Sequence, residues 1–552
     1  MKKILALVLS TAMALSIAAC GSSGGSSNST TAAAATTTAA AAAETKAAAE
    51  TKAAAAETQA APAETQAASG PASTKDTMII GLPSDVSKLD PHLTNAMDNV
   101  IVYCNFAETL VTMDENNEIQ PHLAESWERP DDKTVIFHLR DDVKFSNGDP
   151  VTAEDVVFSV QRVLDSPYVN YLLAFVDHAE AIDEHTVAVY STEPFGPFLA
   201  HFTVPYSAIV PKALVEADEE AYSAKPIGTG PYVLQEWKPG DSVTLVANEN
   251  YFLGAPPIKT LKYVIMPDSS ARLMALESGE IDMATGIAPN DVAKVEANSD
   301  LIVKTKPSLA CFMLPMNDAK DNYCLRDINV RRAIHYGIDR QALCDAVASG
   351  YANPAGNMIP EGIIGYIPES FTPPARDVEK AKEFLAASEW ADNCEFTLYV
   401  RDDSERVEIA NIIQYQLSEI GITMNVEVME GSAVSQYVNT SNFETIIDRW
   451  LTDTADAYYT LTGLYASWSS VGDGNDACYR NPEFDEAILE AGQIFDDAER
   501  VEAYKKCFEI LEEDLPYIPI YNYYNCVAMR NNVEGFEIAP CLNHVMRNVY
   551  FK

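Results

Sequence analysis

Two groups of residues carry side chains whose types and spacing could do chemistry. The first is a thiol. Cys20 follows Ile17-Ala18-Ala19 and precedes Gly21. Small residues just before a cysteine fit a peptidase subsite that admits only small side chains, and the thiol itself can be alkylated by a lipid. The second is the segment Asp448-Arg449-Trp450-Leu451-Thr452-Asp453-Thr454-Ala455-Asp456-Ala457-Tyr458-Tyr459, which offers two carboxylates, Asp453 and Asp456. No catalytic motif accompanies that pair. The chain has no GxSxG elbow, no HExxH, no phosphate-cradling glycine loop and no Cys/His dyad. Its eight histidines are scattered, none four residues from another, and there is no CxxC. Neither a resident metal nor a cofactor is expected, and the chain does not read as an enzyme.

The thiol sits at the end of an export signal. Met1-Lys2-Lys3 is a positive start, and a mostly apolar run continues from Ile4 to Ser16. That is too short for a stable membrane span and has the form of a secretory signal, residues 1–19. Residues 20–75 are mostly Ser, Gly, Thr, Ala and Glu, with no large apolar side chain to offset ordering entropy. Glu44-Thr45-Lys46, Glu50-Thr51-Lys52, Glu57-Thr58-Gln59 and Glu64-Thr65-Gln66 make a loose repeat there, a semi-rigid spacer reading as a tether. The formal charge of the 552-residue chain is −43, which argues against nucleic acid as a partner. Nine cysteines besides Cys20 cannot all pair internally, and they read as buried, reduced, small hydrophobes.

From about Thr77 the composition becomes globular, and about 475 residues exceed one core, so at least two lobes are expected. Strands and helices alternate, as in mixed α/β folds. Val135, Phe137 and Leu139 alternate as on a strand, Asn147-Gly148 supplies a turn, and Thr152 with Asp155 forms a helix start ahead of Val156, Val160 and Val163. Helices are further expected over 271–278, 330–348, 378–387, 405–420 and 484–511. Strands are expected at Phe396–Val400, Met424–Val428 and Tyr517–Tyr524.

Several blocks resemble a known family. They are Gly81-Leu82-Pro83-Ser84-Asp85 through Leu89-Asp90-Pro91, Ala124-Glu125-Ser126-Trp127 with Phe137-His138-Leu139-Arg140 and Thr152-Ala153-Glu154-Asp155-Val156, and Gly228-Thr229-Gly230-Pro231-Tyr232 with Asn248-Glu249-Asn250-Tyr251. Val330-Arg331-Arg332-Ala333-Ile334 with Ile338-Asp339-Arg340 completes the set. In this order they are similar to the extracytoplasmic solute-binding proteins of family 5, which serve peptide and nickel importers of the ABC type. The residues around Cys20 resemble the lipobox of bacterial lipoproteins, with Ile17 where Leu is more usual. The resemblance implies a two-lobed, hinge-closing α/β fold of the periplasmic-binding-protein type II class, cluster C. Lobe I is expected at residues 76–310 with 518–552 and lobe II at 311–517. It also implies diacylglycerol on Cys20, an anchor at the outer face of the cell membrane (periplasmic where an outer membrane exists), and a monomer that meets an ABC permease and its ATPases.

The family also assigns the acidic segment. In peptide-binding relatives a Trp followed three residues later by Asp opens a loop facing the cleft, and that Asp accepts hydrogen bonds from the peptide's α-ammonium. Trp450 and Asp453 match, and a charge-assisted pair in a closed cleft is strong and directional. Relatives usually carry Asp-Pro where this chain has Asp456-Ala457, which leaves the loop shape and the ligand open. Dipeptide-binding relatives hold the peptide carboxylate with an Arg ahead of a helix. Arg401 lies near that place and Arg406 competes for it. The expected ligand is a di- or oligopeptide, with a nickel or metal chelate, an opine or a sugar as the alternative.

Overall fold

The computed structural model describes residues 72–552 apart from 115, 116, 321, 322, 473, 540 and 542. The signal segment, Cys20 and nearly all of the tether lie outside the described residues. The last tether residues already belong to the fold: the Thr74 N–H donates to the Phe551 carbonyl (2.9 Å), and Lys75 pairs with Asp282 (2.6 Å). Among the described residues no helix is long and apolar enough to cross a membrane.

Alternation in Thr134–Leu139 puts Val135, Phe137 and Leu139 on a buried face. This strand is internal to a four-stranded antiparallel sheet, ordered 124–131, 134–139, 186–191, 176–183. Trp127 stands opposite Phe137 and packs on the same core, a structural role. The turn at Asn147-Gly148 closes with the Gly148 N–H on the Phe145 carbonyl (2.8 Å). The helix Ala153–Asp165 starts in a capping box: Asp155 reaches back to the Thr152 N–H (3.0 Å).

A nine-stranded mixed sheet runs through the molecule. Its order is 448–451, 301–315, 517–530, 283–284, 77–82, 260–265, 242–247 and 232–238, with 352–354 also paired to 517–530. The strands Leu301–Pro315 and Tyr517–Arg530 pair antiparallel from Leu301↔Arg530 to Pro315↔Tyr517, with register shifts after Pro307 and Phe312. One end of this pair contributes Val527 and Met529 to a core built otherwise from residues before 284 and after 532. The other end contributes Phe312, Leu314, Ile518 and Ile520 to a core built from residues 312–521. Two cores joined by one long strand pair give the α/β molecule its two-lobed form.

The second core lies on a parallel sheet in which Glu395–Arg401 is flanked by Thr423–Met429 and Thr445–Ile446. The helix Ser404–Ser418 makes the crossover and buries Ile409, Ile413 and Leu417. Two helices expected to be continuous are broken. The 330–348 region is two helices, Ile328–Gly337 and Arg340–Ala348, because Asp339 caps the second by accepting from the Ala342 N–H (2.9 Å). The 484–511 region is likewise Pro482–Gly492 and Asp497–Asp514, restarted by Asp496 on the Glu499 N–H (2.9 Å). In both places an aspartate inside an apolar periodicity satisfies a new helix start, and periodicity alone hides it. All nine cysteines in the described region are free, eight of them buried.

Candidate ligand-binding site

The acidic segment begins as an edge strand. Asp448–Leu451 pairs with the long strand through Met313↔Asp448, Phe312↔Arg449, Cys311↔Trp450 and Ala310↔Leu451, and the Thr452 N–H extends the ladder onto the Leu309 carbonyl (2.8 Å). Side chains therefore alternate between two faces. Trp450 and Thr452 point to the helix Ala457–Tyr465: the indole N–H donates to Thr460 Oγ1 (2.9 Å), and the Thr452 and Thr460 hydroxyls meet at 2.8 Å. The Trp450 ring lies on Gly463 and Gly474, where an added Cβ would come within 2.8 Å of it. No other residue leaves room for the indole there.

Asp456 ends the loop as a buried cap. It accepts from the Tyr458 N–H (2.9 Å), from Arg500 Nε (2.9 Å) and Nη2 (2.7 Å), and from the Tyr504 hydroxyl. Both of its oxygens are engaged inside the fold. Asp456 thus anchors the loop to the helix Asp497–Asp514, whereas Asp453 borders a narrow gap.

Asp453 is half-buried, and among the described residues its one hydrogen bond comes from the Tyr459 hydroxyl (3.4 Å). It borders a narrow gap with Met97, Val100, Val204, Tyr206, Cys541 and Asn543. Val100, Val204 and Tyr206 belong to the first core, so the carboxylate faces across from one lobe to the other. Tyr103, Tyr206 and Tyr459 all feel its charge, and the buried Tyr103 hydroxyl has no hydrogen-bond partner among the described residues. The Tyr171 and Tyr459 rings meet at 6.1 Å, and Tyr459 stacks on Trp450 at 5.5 Å. Burial pushes the Asp453 carboxyl up to about 7, against the smaller downward pull of the Tyr459 hydrogen bond. A carboxylate so poorly solvated, with Tyr206 and Tyr459 beside it, can accept charge-assisted hydrogen bonds from a cationic donor.

The arginines are placed elsewhere. Arg401, half-buried at the end of its strand, lies near Asp476 and draws that carboxyl down, whereas burial and neighbouring Asp448 push it up to about 7. Arg406 donates to Asp403 (2.9 Å) and lies over the Phe312 ring at 5.4 Å, with Nε buried and without a hydrogen-bond partner among the described residues. Neither is drawn into the Asp453 gap. Tyr103, Tyr171, Tyr206 and Tyr459 were not legible as site residues. Three of them come from the other lobe, and no local spacing links them to Asp453.

Residues 118–471 match the family described as bacterial extracellular solute-binding proteins, family 5. This chain belongs to that family. It is a solute-binding protein and not an enzyme. Among curated relatives, the probable D,D-dipeptide-binding periplasmic protein DdpA of Escherichia coli (strain K12) is 28% identical, over 86% of this chain and 94% of its own. Di/tripeptide-binding protein 2 of Pseudomonas aeruginosa (strain UCBPP-PA14) is 29% identical, over 76% and 84%. Among solved structures, the ABC transporter-associated periplasmic binding protein DppA from Helicobacter pylori, in complex with peptide STSA, superposes with a TM-score of 0.77. It is 27% identical, covering 87% of this chain and 98% of that one.

Proposed function

We propose that this family 5 protein is the lipid-anchored receptor of an ABC importer, that it captures di- or oligopeptides between its lobes, and that it delivers them to the permease. The observation that carries the reading is Asp453: a carboxylate with one long hydrogen bond among the described residues, in a gap faced by Val100, Val204 and Tyr206 of the first core. A peptide's α-ammonium supplies the charge and the donors that this carboxylate lacks. The peptide ligands named for the relatives from E. coli, P. aeruginosa and H. pylori support the same class.

In this reading the lobes are 76–310 with 518–552 and 311–517, hinged where the long strands cross near Cys311 and Tyr517. Ligand held by groups of both lobes favours the closed form, which gives the permease a shape to read. Lipid on Cys20 and the tether keep the monomeric receptor near its transporter and raise the encounter concentration. Asp453 and Trp450 serve the ammonium end, Trp450 by holding Tyr459 in place, and Asp456 fixes the loop that presents them. Arg401 or Arg406 is the carboxylate partner that the resemblance suggests.

The test is mass spectrometry of ligand released from the purified full chain. Recovered peptides, lost in Asp453→Ala, support the reading. A recovered sugar, opine, nickel or other metal chelate contradicts it.

A further inference from the structure

A cavity of about 390 Å³ lies among residues 332–519 and shares no lining residue with the Asp453 gap. Its volume is that of a small-ligand pocket. Apolar side chains reach it from two clusters: Phe384 and Leu515 from the second core, and Met358, Leu461 and Phe508 from a separate one. The helix Ala457–Tyr465 serves both places. Thr460 holds Trp450, whereas Leu461 and Tyr465 line the cavity.

Three polar groups in the lining are donors. Asn357 Oδ1 accepts from the Ile359 N–H (2.9 Å), which fixes the orientation of the amide. Its Nδ2 is buried and has no hydrogen-bond partner among the described residues. Arg340 donates to His335 Nδ1 (3.0 Å), and burial together with the Arg340 charge pushes the imidazole down to about 3. The neutral ring therefore carries its proton on Nε2. Arg332 adds a guanidinium, which lies over the Phe384 ring at 6.0 Å and donates to the Glu513 carbonyl (3.4 Å). The one acid in the lining, Glu512, is exposed and stays solvated. A buried N–H without an acceptor is costly, and an oxygen brought by a ligand removes that cost.

We propose that this cavity is a second ligand site, for a compact apolar carboxylate whose body packs on Met358, Leu461 and Phe508 and whose oxygens accept from Asn357 and His335. The Arg332 charge favours the ionised acid over a neutral carbonyl compound. The site uses neither Asp453 nor Tyr459, so it stands or falls apart from the peptide reading.

The experiment is calorimetric titration of the full chain, purified in detergent and measured against a detergent blank, with 3-phenylpropionate, 3-phenylpropionamide and propionate. Wild type binds 3-phenylpropionate with a Kd below about 1 mM, about 10-fold more tightly than the amide and at least about 30-fold more tightly than propionate. Asn357→Asp keeps the acceptor for the Ile359 N–H but exchanges the free N–H for a carboxylate oxygen. The acid then binds at least about 10-fold more weakly, and the preference reverses toward the amide, which can donate. Ser370→Trp, at a half-buried lining position, fills the cavity and abolishes binding of both, whereas Asp453→Asn leaves both affinities unchanged. An unaltered preference for the acid in Asn357→Asp, in a chain whose circular dichroism matches wild type, overturns the assignment. So does binding that survives Ser370→Trp, binding that is lost in Asp453→Asn, or a wild type that does not bind 3-phenylpropionate.

Discussion

Tyr459 stands between the two residues that the sequence pairs as a motif: its hydroxyl donates to Asp453 (3.4 Å) and its ring stacks on Trp450 (5.5 Å). The tryptophan thus acts on the carboxylate at one remove. Its own fixation comes from Thr460 and from the two glycines beneath it.

Asp453 titrates near 7 when burial opposes its charge. The neutral acid cannot pair with an ammonium, so peptide affinity is full above about pH 7 and falls roughly tenfold per pH unit below it. The ligand-free protein behaves in the opposite sense. A carboxyl whose folded pKa is raised contributes stability below its unfolded value, and that contribution is lost as pH rises through about 7. Titrations from pH 5 to 8 on wild type and Asp453→Asn check both. The Asn variant should show neither slope.

Tyr459→Phe removes the hydrogen bond that holds the Asp453 carboxyl down. The midpoint of the affinity–pH curve should move upward from the wild-type value, with a loss of about 0.5–1.5 kcal/mol in binding at pH 8. An unmoved midpoint would show that the contact carries no weight.

Asp456→Ala leaves Arg500 buried without its main partner. Loss of one member of a buried, hydrogen-bonded pair costs about 3–5 kcal/mol, so the thermal midpoint should fall markedly. Ligand discrimination by the protein that stays folded should be unchanged, because Asp456 does not face the gap.

Gly463→Ala places a methyl 2.8 Å from the Trp450 ring. Overpacking of this kind costs about 1–3 kcal/mol. Displacing the indole also displaces Tyr459, so peptide affinity should fall together with stability. Tryptophan fluorescence and calorimetry on the same sample separate the two effects.

Local patterns read well and long-range ones did not. Phe137, the Thr152–Asp155 cap and the strand Phe396–Val400 were visible because each depends on neighbours a few residues away. Asp339 and Asp496 broke helices that their apolar spacing joined, since a cap competes with periodicity only through backbone geometry. At the site, Asp453 stood out by its place beside Trp450, but the roles of Trp450 and Asp456 depend on Gly474, Arg500 and Tyr504, distant in sequence. Tyr103 and Tyr206 come near the carboxylate, and Tyr171 near Tyr459, only because the lobes face each other.

The most direct test of Asp453 as the ammonium partner compares tri-alanine with N-acetyl-tri-alanine by calorimetry at pH 8. Acetylation removes the cation and leaves the rest of the peptide. Wild type should bind the free amine at least about 30-fold more tightly, and Asp453→Asn should bind the two about equally. Equal binding of both peptides by wild type, or an undiminished preference in Asp453→Asn, would contradict the assignment.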